Sequence, residues 1–198
     1  VGANRSGLPE IKIDALREAL RTGAFSPWEL YQELLCLIYR LLFLLVAEER
    51  GLLGSRGESG FYYHYSLGRL RLLAGEPLSA SERFHDLYLG LRTLFAALRE
   101  EAWARLLGLA ALDGELFRPL SHLDEAYLDN RSLLRAVERL SYFYAPEERV
   151  RRRINYAALD VEELGSVYES LLDYHPIVHD LTTFEFAEGS ERKSTGSY

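Results

Sequence analysis

The chain is poor in several residue types, and each scarcity limits what the protein can be. Its 198 residues include a single cysteine, Cys36, which excludes an intrachain disulfide and a thiol cluster for structural zinc. Methionine is absent even at position 1, so we expect that the chain begins inside a longer gene product or has lost its first residue. With 23 basic and 30 acidic residues the formal net charge is −7, which excludes a chain-wide basic surface but not a local one.

Long hydrophobic runs are scarce as well. The longest covers positions 34–47, and its 14 residues, which include Arg40, fall short of the roughly 20 needed to cross a bilayer. Positions 1–9 lack the apolar segment of a signal peptide. A helix that is apolar all round is typical of the centre of a bundle. We therefore expect a buried helix here, no membrane partner and a cytoplasmic protein.

Leucine is abundant, with 39 residues, and much of it recurs at the three- and four-residue spacing of helices. This pattern predicts an all-α fold, a multi-helix bundle with irregular connections that leave room for one short β element. A strand is conceivable at 182–186 or between 108 and 120. The predicted helices cover residues 10–21, 26–50, 66–74, 79–107, 130–144 and 160–172.

Capping signals set several of these boundaries. Ser26 and Glu29 have the spacing of a capping box, and Asn130 and Asp160 are the predicted N-caps of two later helices. In the central helix we expect full burial of four leucines, Leu37, Leu41, Leu44 and Leu45. In the segments that follow we expect inward-facing side chains at Phe84, Tyr144, Val161, Leu164, Tyr168, Leu171 and Leu172.

Candidate catalytic and metal sites are few. His175 and His179 are four apart, but Pro176 between them disfavours a regular helix that would present both. The Glu-x-Lys spelling at 191–193 occurs in metal-dependent nucleases, yet its small, polar surroundings provide no second carboxylate strand. Cys36 lies in the most apolar helix, where burial disfavours the reactive thiolate. The sequence therefore predicts no catalytic residue, no cofactor-binding residue and no metal site.

The densest basic segment is the arginine cluster, which we define as Arg149, Arg151, Arg152 and Arg153. Guanidinium groups match phosphate oxygens bidentately, so these residues are candidates for contacts with the DNA backbone. The alternative is a solvated loop in which the arginines pair with nearby acidic residues. Those acidic residues would be Glu147, Glu148, Glu162 and Glu163.

Four segments, read in order, resemble one protein family. Residues 39–53 (YRLLFLLVAEERGLL) are similar to the "YRLLFLLxAExRGLL" helix of large prokaryotic adenine-N6 DNA methyltransferases. These are the type IIG restriction–methylation enzymes and the BREX- and DISARM-type phage-defence methylases. Residues 113–119 (DGELFRP) resemble the family's "NGGLFxP" turn but depart from it at Asp113 and Glu115. Residues 159–172 resemble its "LG.VYE.LL" helix, and residues 191–198 (ERKSTGSY) its "R(K)xxGSYYTP" segment.

The resemblance implies a helical spacer and not the catalytic core. The family's Asn/Asp-Pro-Pro-Tyr/Phe loop and its glycine-rich S-adenosylmethionine loop are both missing from the sequence. Residues 1–176 would then be a spacer or connector domain, and 177–198 a lead-in to a methyltransferase domain. The implied parent protein uses S-adenosylmethionine and acts on DNA, while the fragment holds no cofactor. The alternative is a free-standing α-helical protein-interaction module.

Overall fold

A computed structural model describes residues 11–53, 60–75, 83–112, 114–145, 150–180 and 183–188. These residues are predominantly helical, which confirms the predicted fold class. The helices are α1 (Ile11–Thr22), α2 (Pro27–Glu49), α3 (Gly60–His64), α4 (Leu67–Gly75), α5 (Asp86–Arg99), α6 (Glu101–Leu106), α7 (Asn130–Ser141) and α8 (Val161–Leu172). The strands are β1 (Tyr142–Ala145), β2 (Val150–Arg153), β3 (Tyr174–Asp180) and β4 (Thr183–Glu188).

The strands form two separate antiparallel pairs, β1 with β2 and β3 with β4. The strand expected at 182–186 is therefore present as β4, and a second short pair, β1 with β2, follows α7. β3 begins at Tyr174 and runs across the expected boundary between residues 176 and 177, where the lead-in segment would start. Between 114 and 120 the chain forms a 3-10 turn at Glu115–Phe117 instead of a strand.

α2 is the central helix, and its start follows the predicted chemistry. The Ser26 side chain accepts a hydrogen bond from the Glu29 N–H, and the Glu29 carboxylate accepts one from the Ser26 N–H, which together form the predicted capping box. Leu41, Leu44 and Leu45 are buried as expected. Leu37 is only partly buried, although it packs against both apolar clusters, so the expectation of its full burial is wrong.

The main core surrounds the C-terminal half of α2. Side chains of α2, α4, α5 and α7 meet there, and the fully buried residues include Phe61, Leu94, Leu98 and Leu133. A smaller apolar cluster packs at the other end of α2, around Phe25. The bundle is therefore built on one long helix that contributes to both clusters.

Charged side chains of α2 hold connections in place. The carboxylate of Glu48, which is 5% exposed, accepts hydrogen bonds from the N–H groups of Leu67 and Gly68 and so caps α4. Arg40 is fully buried, with its guanidinium 5.0 Å from the Phe95 ring centroid. In the described part of the chain, α2 alone is long and apolar enough to cross a membrane, a criterion that the buried helix of a bundle also meets. Its capping contacts and buried arginine are those of a core helix.

The predicted helix over 79–107 and the predicted N-cap of α7 are both wrong. The helix predicted over 79–107 is two helices, since Glu100 adopts an extended conformation (φ −121°, ψ 120°) between α5 and α6. Phe84 precedes α5 and is 58% exposed, so it does not lie on the core face. The N-cap of α7 is Asp129, whose side chain accepts from the Ser132 N–H, and Asn130 is the first helical residue.

α8 has the predicted start but not the predicted burial. Asp160 and Glu163 form a capping box, which confirms the N-cap. None of the helix's residues is buried, and Val161 is 80% exposed. The expectation that its apolar residues face the core is wrong, because α8 lies at the periphery, where Tyr39 and Tyr31 of α2 touch it.

Candidate nucleic-acid interface

The described part of the arginine cluster belongs to a β-hairpin. β1 and β2 pair with Tyr142 opposite Arg153, Phe143 opposite Arg152 and Tyr144 opposite Arg151. The helix predicted to reach residue 144 ends at Ser141, so Tyr144 is in a strand and is 61% exposed. Arg149 lies outside the described residues. The hairpin places three aromatic residues directly across from three arginines.

Arg151 makes contacts with α7 and with the hairpin itself. Its Nη2 lies 2.9 Å from Oε1 of Glu138, and its guanidinium lies 4.0 Å from the ring centroid of Tyr142. A cation over an aromatic face is attracted by the ring's negative quadrupole. Part of the Arg151 charge is therefore already neutralised within the protein.

Arg153 joins the hairpin to the end of α2. Its Nη2 lies 2.6 Å from Oε1 of Glu49, which also pairs with the buried guanidinium of Arg71. Burial raises the pKa of the Glu49 carboxyl, but the hydrogen bonds and charges of Arg153 and Arg71 outweigh burial and hold that pKa below its usual value. Arg71 also donates to the Ile154 carbonyl oxygen over 3.0 Å. This group of charges connects α2, α4 and β2.

These partners differ from the acidic residues proposed in the alternative interpretation. Glu147 and Glu148 lie outside the described residues, and Glu163 is used to cap α8. The partners found are Glu138 for Arg151 and Glu49 for Arg153, and Glu49 lies 104 residues away from Arg153 in sequence. Arg152 is exposed in β2, opposite Phe143.

The sequence analysis missed the aromatic part of this surface. Phe143 is 48% exposed and Tyr144 61% exposed. The available signal was the run Tyr-Phe-Tyr at 142–144, which only four residues, Pro146 among them, separate in sequence from the arginines. We had interpreted its last residue as the end of a helical stripe, although a tyrosine-rich run is typical of a strand. The hairpin therefore offers both guanidinium groups and aromatic rings to solvent.

A second polar region lies at the N-terminal half of α2. A cavity of about 410 Å³ is lined there by residues that include Glu33, Cys36 and His122. The Glu33 carboxylate accepts from the N–H groups of His122 and Leu123 and lies 3.0 Å from His122 Nδ1. The Cys36 thiol donates to the Leu116 carbonyl oxygen over 3.4 Å. Among the described residues, no group of three His, Cys, Asp or Glu side chains could hold a metal ion.

The segments at 39–53, 114–119 and 159–172 meet on α2. Arg40 donates from Nε to the Leu116 carbonyl oxygen over 2.7 Å and from Nη2 to that of Arg118. The ring of Tyr39 stacks on that of Tyr168 with centroids 4.7 Å apart. Burial, with Tyr168 nearby, raises the pKa of Tyr39 to about 12. Asp113 and residues 191–198 lie outside the described residues.

The fold and the hairpin define a helical domain that carries an arginine- and aromatic-bearing β-ribbon on its surface. Comparisons with protein-family models, with curated proteins and with solved structures gave no match. The function of the chain is therefore inferred from its own residues and contacts.

Proposed function

We propose that the chain is a non-catalytic helical spacer of an adenine-N6 DNA methyltransferase or restriction–methylation enzyme. The observation that carries the proposal is the meeting, on α2, of segments that resemble this one family. Residues 39–53 touch 114–119 through Arg40 and 159–172 through Tyr39. These contacts place the three segments in one packed unit, as a shared family domain requires. The packing supports a single structural unit.

A spacer of this kind would support the catalytic domain around DNA. Extruding a base from a duplex costs a few kcal/mol, which surrounding protein contacts must offset, and such contacts need a rigid frame. α2 supplies rigidity because its Arg40, Glu33 and Glu48 fix three separate connections by hydrogen bonds. The parent protein would bind S-adenosylmethionine in the adjacent methyltransferase domain. The spacer itself would bind neither cofactor nor metal.

The proposal includes partners and location. DNA would be reached through the parent protein, with the arginine cluster as a secondary contact to phosphates, and no membrane would be involved. A restriction–modification or phage-defence enzyme acts on DNA in the cytoplasm. Arg151, Arg152 and Arg153 are the described members of the cluster, and Arg151 and Arg153 also serve the packing of the hairpin.

A second candidate is a free-standing α-helical protein-interaction module. The observation that favours it is the exposure of apolar side chains on α8, where Val161 is 80% and Tyr168 48% exposed. Contiguous exposed apolar surface marks sites where another protein binds. This module would need no DNA contact and no adjacent catalytic domain.

The coding sequence that follows Tyr198 distinguishes the two candidates. For the spacer we expect Tyr-Thr-Pro next and, some tens of residues later, a glycine-rich loop after a strand. The complete gene product should then methylate adenine N6 in duplex DNA with S-adenosylmethionine. A stop codon directly after Tyr198, or a complete product that leaves adenine unmethylated, would refute the spacer and favour the interaction module.

A further inference from the structure

The two faces of the β1–β2 ribbon are unequal. Neighbouring residues of a strand point to opposite faces, so Tyr142 and Phe143 lie on different sides. The Arg151 guanidinium covers the Tyr142 ring. The Tyr142 hydroxyl packs closely on Gly75 at the end of α4, since a Cβ at that position would lie 3.2 Å from it. Tyr142 is therefore packed against the bundle, whereas Tyr144, further along the same face, is 61% exposed. The other face carries Phe143.

We define the outer ribbon face as the exposed residues on the other side of the ladder, Phe143, Val150 and Arg152; Ala145, the fourth residue on that side, is buried. Phe143 is 48% and Val150 44% exposed, and Arg152, directly across the ladder from Phe143, is also exposed. Opposed residues of an antiparallel pair have Cβ atoms about 5 Å apart. An aromatic ring and a guanidinium are thus presented to solvent side by side.

We propose that the outer ribbon face binds single-stranded nucleic acid, with a base stacked on Phe143 and a phosphate held by Arg152. The proposal uses the arginine site of the proposed function and goes beyond it by naming the form of the nucleic acid. A phenylalanine ring has no hydrogen-bonding group, so it recognises a base only by its flat face. In a duplex those faces are covered by neighbouring base pairs, whereas an unpaired strand exposes them.

Charge complementarity points to the same partner. The guanidinium of Arg152 matches a phosphate of the strand, while the chain as a whole, with a formal net charge of −7, repels a polyanion. Aromatic stacking adds an attraction that does not depend on charge. A four-residue strand is about 13 Å long, so the face covers only a few nucleotides. Binding should therefore be weak, tolerant of sequence and strongest at low salt.

The test uses fluorescence anisotropy of the 198-residue chain with a labelled 12-nucleotide oligothymidylate, the matching RNA and a 12-base-pair duplex. Phe143→Ala should weaken single-strand binding by about 5- to 150-fold, the range typical of losing one stacked base. It should leave duplex binding unchanged, and Phe143→Tyr should restore single-strand binding. Arg152→Gln should weaken both and reduce the salt slope for the single strand by about 0.7.

The matched control is Phe84→Ala, which removes an exposed phenylalanine outside the hairpin and should change nothing. Circular dichroism identifies any variant that fails to fold, and Phe143→Leu then replaces Phe143→Ala, since leucine keeps apolar bulk without the π face. Single-strand binding that survives loss of the ring would overturn the inference. Binding to the duplex but not to the single strand would also overturn the inference. If that duplex binding depends on Arg152, the proposed function still stands.

Discussion

Arg40 places a guanidinium inside the apolar core, where it holds two backbone carbonyl oxygens. Leu116 and Arg118 supply these acceptors, and Asp124 Oδ1 lies 3.9 Å from Nη1. A charge is costly to bury unless hydrogen bonds satisfy it, so Arg40 and the 114–118 connection depend on each other. This dependence explains how a charged residue can interrupt the longest apolar run of the chain.

Arg40→Met should therefore destabilise the protein by about 2–5 kcal/mol, because both carbonyl oxygens lose their donor although the volume is nearly kept. Urea unfolding at pH 7 measures the change. Arg105→Met is the control, since Arg105 is exposed and pairs with Glu101, and it should change stability by less than about 0.5 kcal/mol. A loss below about 1 kcal/mol for Arg40→Met would mean that the connection is held by other contacts.

Glu49 gives the protein a definite pH dependence. Its folded-state pKa is lowered by Arg153 and Arg71 against the effect of burial. A carboxyl with a lowered folded pKa stabilises the fold fully above its unfolded pKa of about 4.3, and this contribution is lost as the pH falls through the folded value. The sign of the effect is therefore loss of stability in acid.

We expect Glu49→Gln to lose less stability than the unaltered chain between pH 5 and pH 3, since the amide does not titrate. At pH 7 the variant should be the less stable of the two, because Arg71 remains buried without a counter-charge. Urea midpoints measured across this pH range test both statements. Glu101→Gln, at an exposed position, is the control, and identical acid profiles for all three proteins would contradict the expectation.

At the scale of elements, α4 depends on a residue from another helix. Its first N–H groups, at Leu67 and Gly68, donate to the carboxylate of Glu48. A helix leaves its first N–H groups without partners inside the helix, so an external acceptor is needed where the end is buried. Gly68 suits this contact, because a Cβ there would lie 3.3 Å from Glu48 Oε2.

Glu48→Ala should accordingly cost about 1–3 kcal/mol and speed the hydrogen exchange of the amides at Leu67 and Gly68. Hydrogen exchange followed by NMR resolves these amides from those of α5. In weakly denaturing conditions, the α5 amides of the variant should be as well protected as those of the unaltered chain. Glu101→Ala removes an exposed carboxylate and serves as the control. Unchanged exchange in α4 would show that its start is stabilised otherwise.

Elements with local signals were predictable from the sequence, and those fixed by distant contacts were not. The starts of α2 and α8 follow from capping boxes within four residues, Ser26–Glu29 and Asp160–Glu163. The break at Glu100 has no such signal, since the apolar period continues through it. The burial of α8 was overestimated because an amphipathic pattern shows which face is apolar but not whether anything covers it.

The candidate site was partly predictable for the same reason. The arginine cluster was predictable because four arginines occur within the five residues 149–153. Its strand conformation depends on pairing with residues 142–145, and the partners of Arg151 and Arg153 come from α7 and α2. A contact between residues 104 positions apart, such as Arg153 and Glu49, leaves no local pattern in the sequence from which it could be predicted. The exposed Phe143 was missed because the hairpin that presents it was not predicted.

At the scale of the whole molecule, charge limits how this chain can bind duplex DNA. The net charge of −7 opposes approach to a polyanion, so a local patch must act against it. Two members of the arginine cluster, Arg151 and Arg153, are already paired with Glu138 and Glu49. Few counterions would therefore be released on binding.

Duplex binding should consequently be weak and non-specific, with a slope of log K against log salt between about −1 and −2, and no steeper than about −3.6 for four phosphate contacts. Titrations from 25 to about 200 mM salt measure the slope. Reversing the charge of the whole arginine cluster should abolish a gel shift at low salt, whereas reversal at Arg21, Arg105 and Arg118 should not. A slope steeper than about −3.6 would mean that the DNA contact lies on another surface of the protein.

The last prediction concerns the boundary between this chain and the proposed catalytic domain. Methyl transfer to an adenine amino group needs a cofactor pocket, a slot for the extruded base and acceptors for the N6 hydrogens. The motifs that build these three do not occur before Tyr198, so the 198-residue chain should give no heat with S-adenosylmethionine in isothermal titration. The complete gene product should bind it and methylate DNA. Micromolar binding by the shorter chain would move the boundary, and no binding by the complete product would contradict the family resemblance itself.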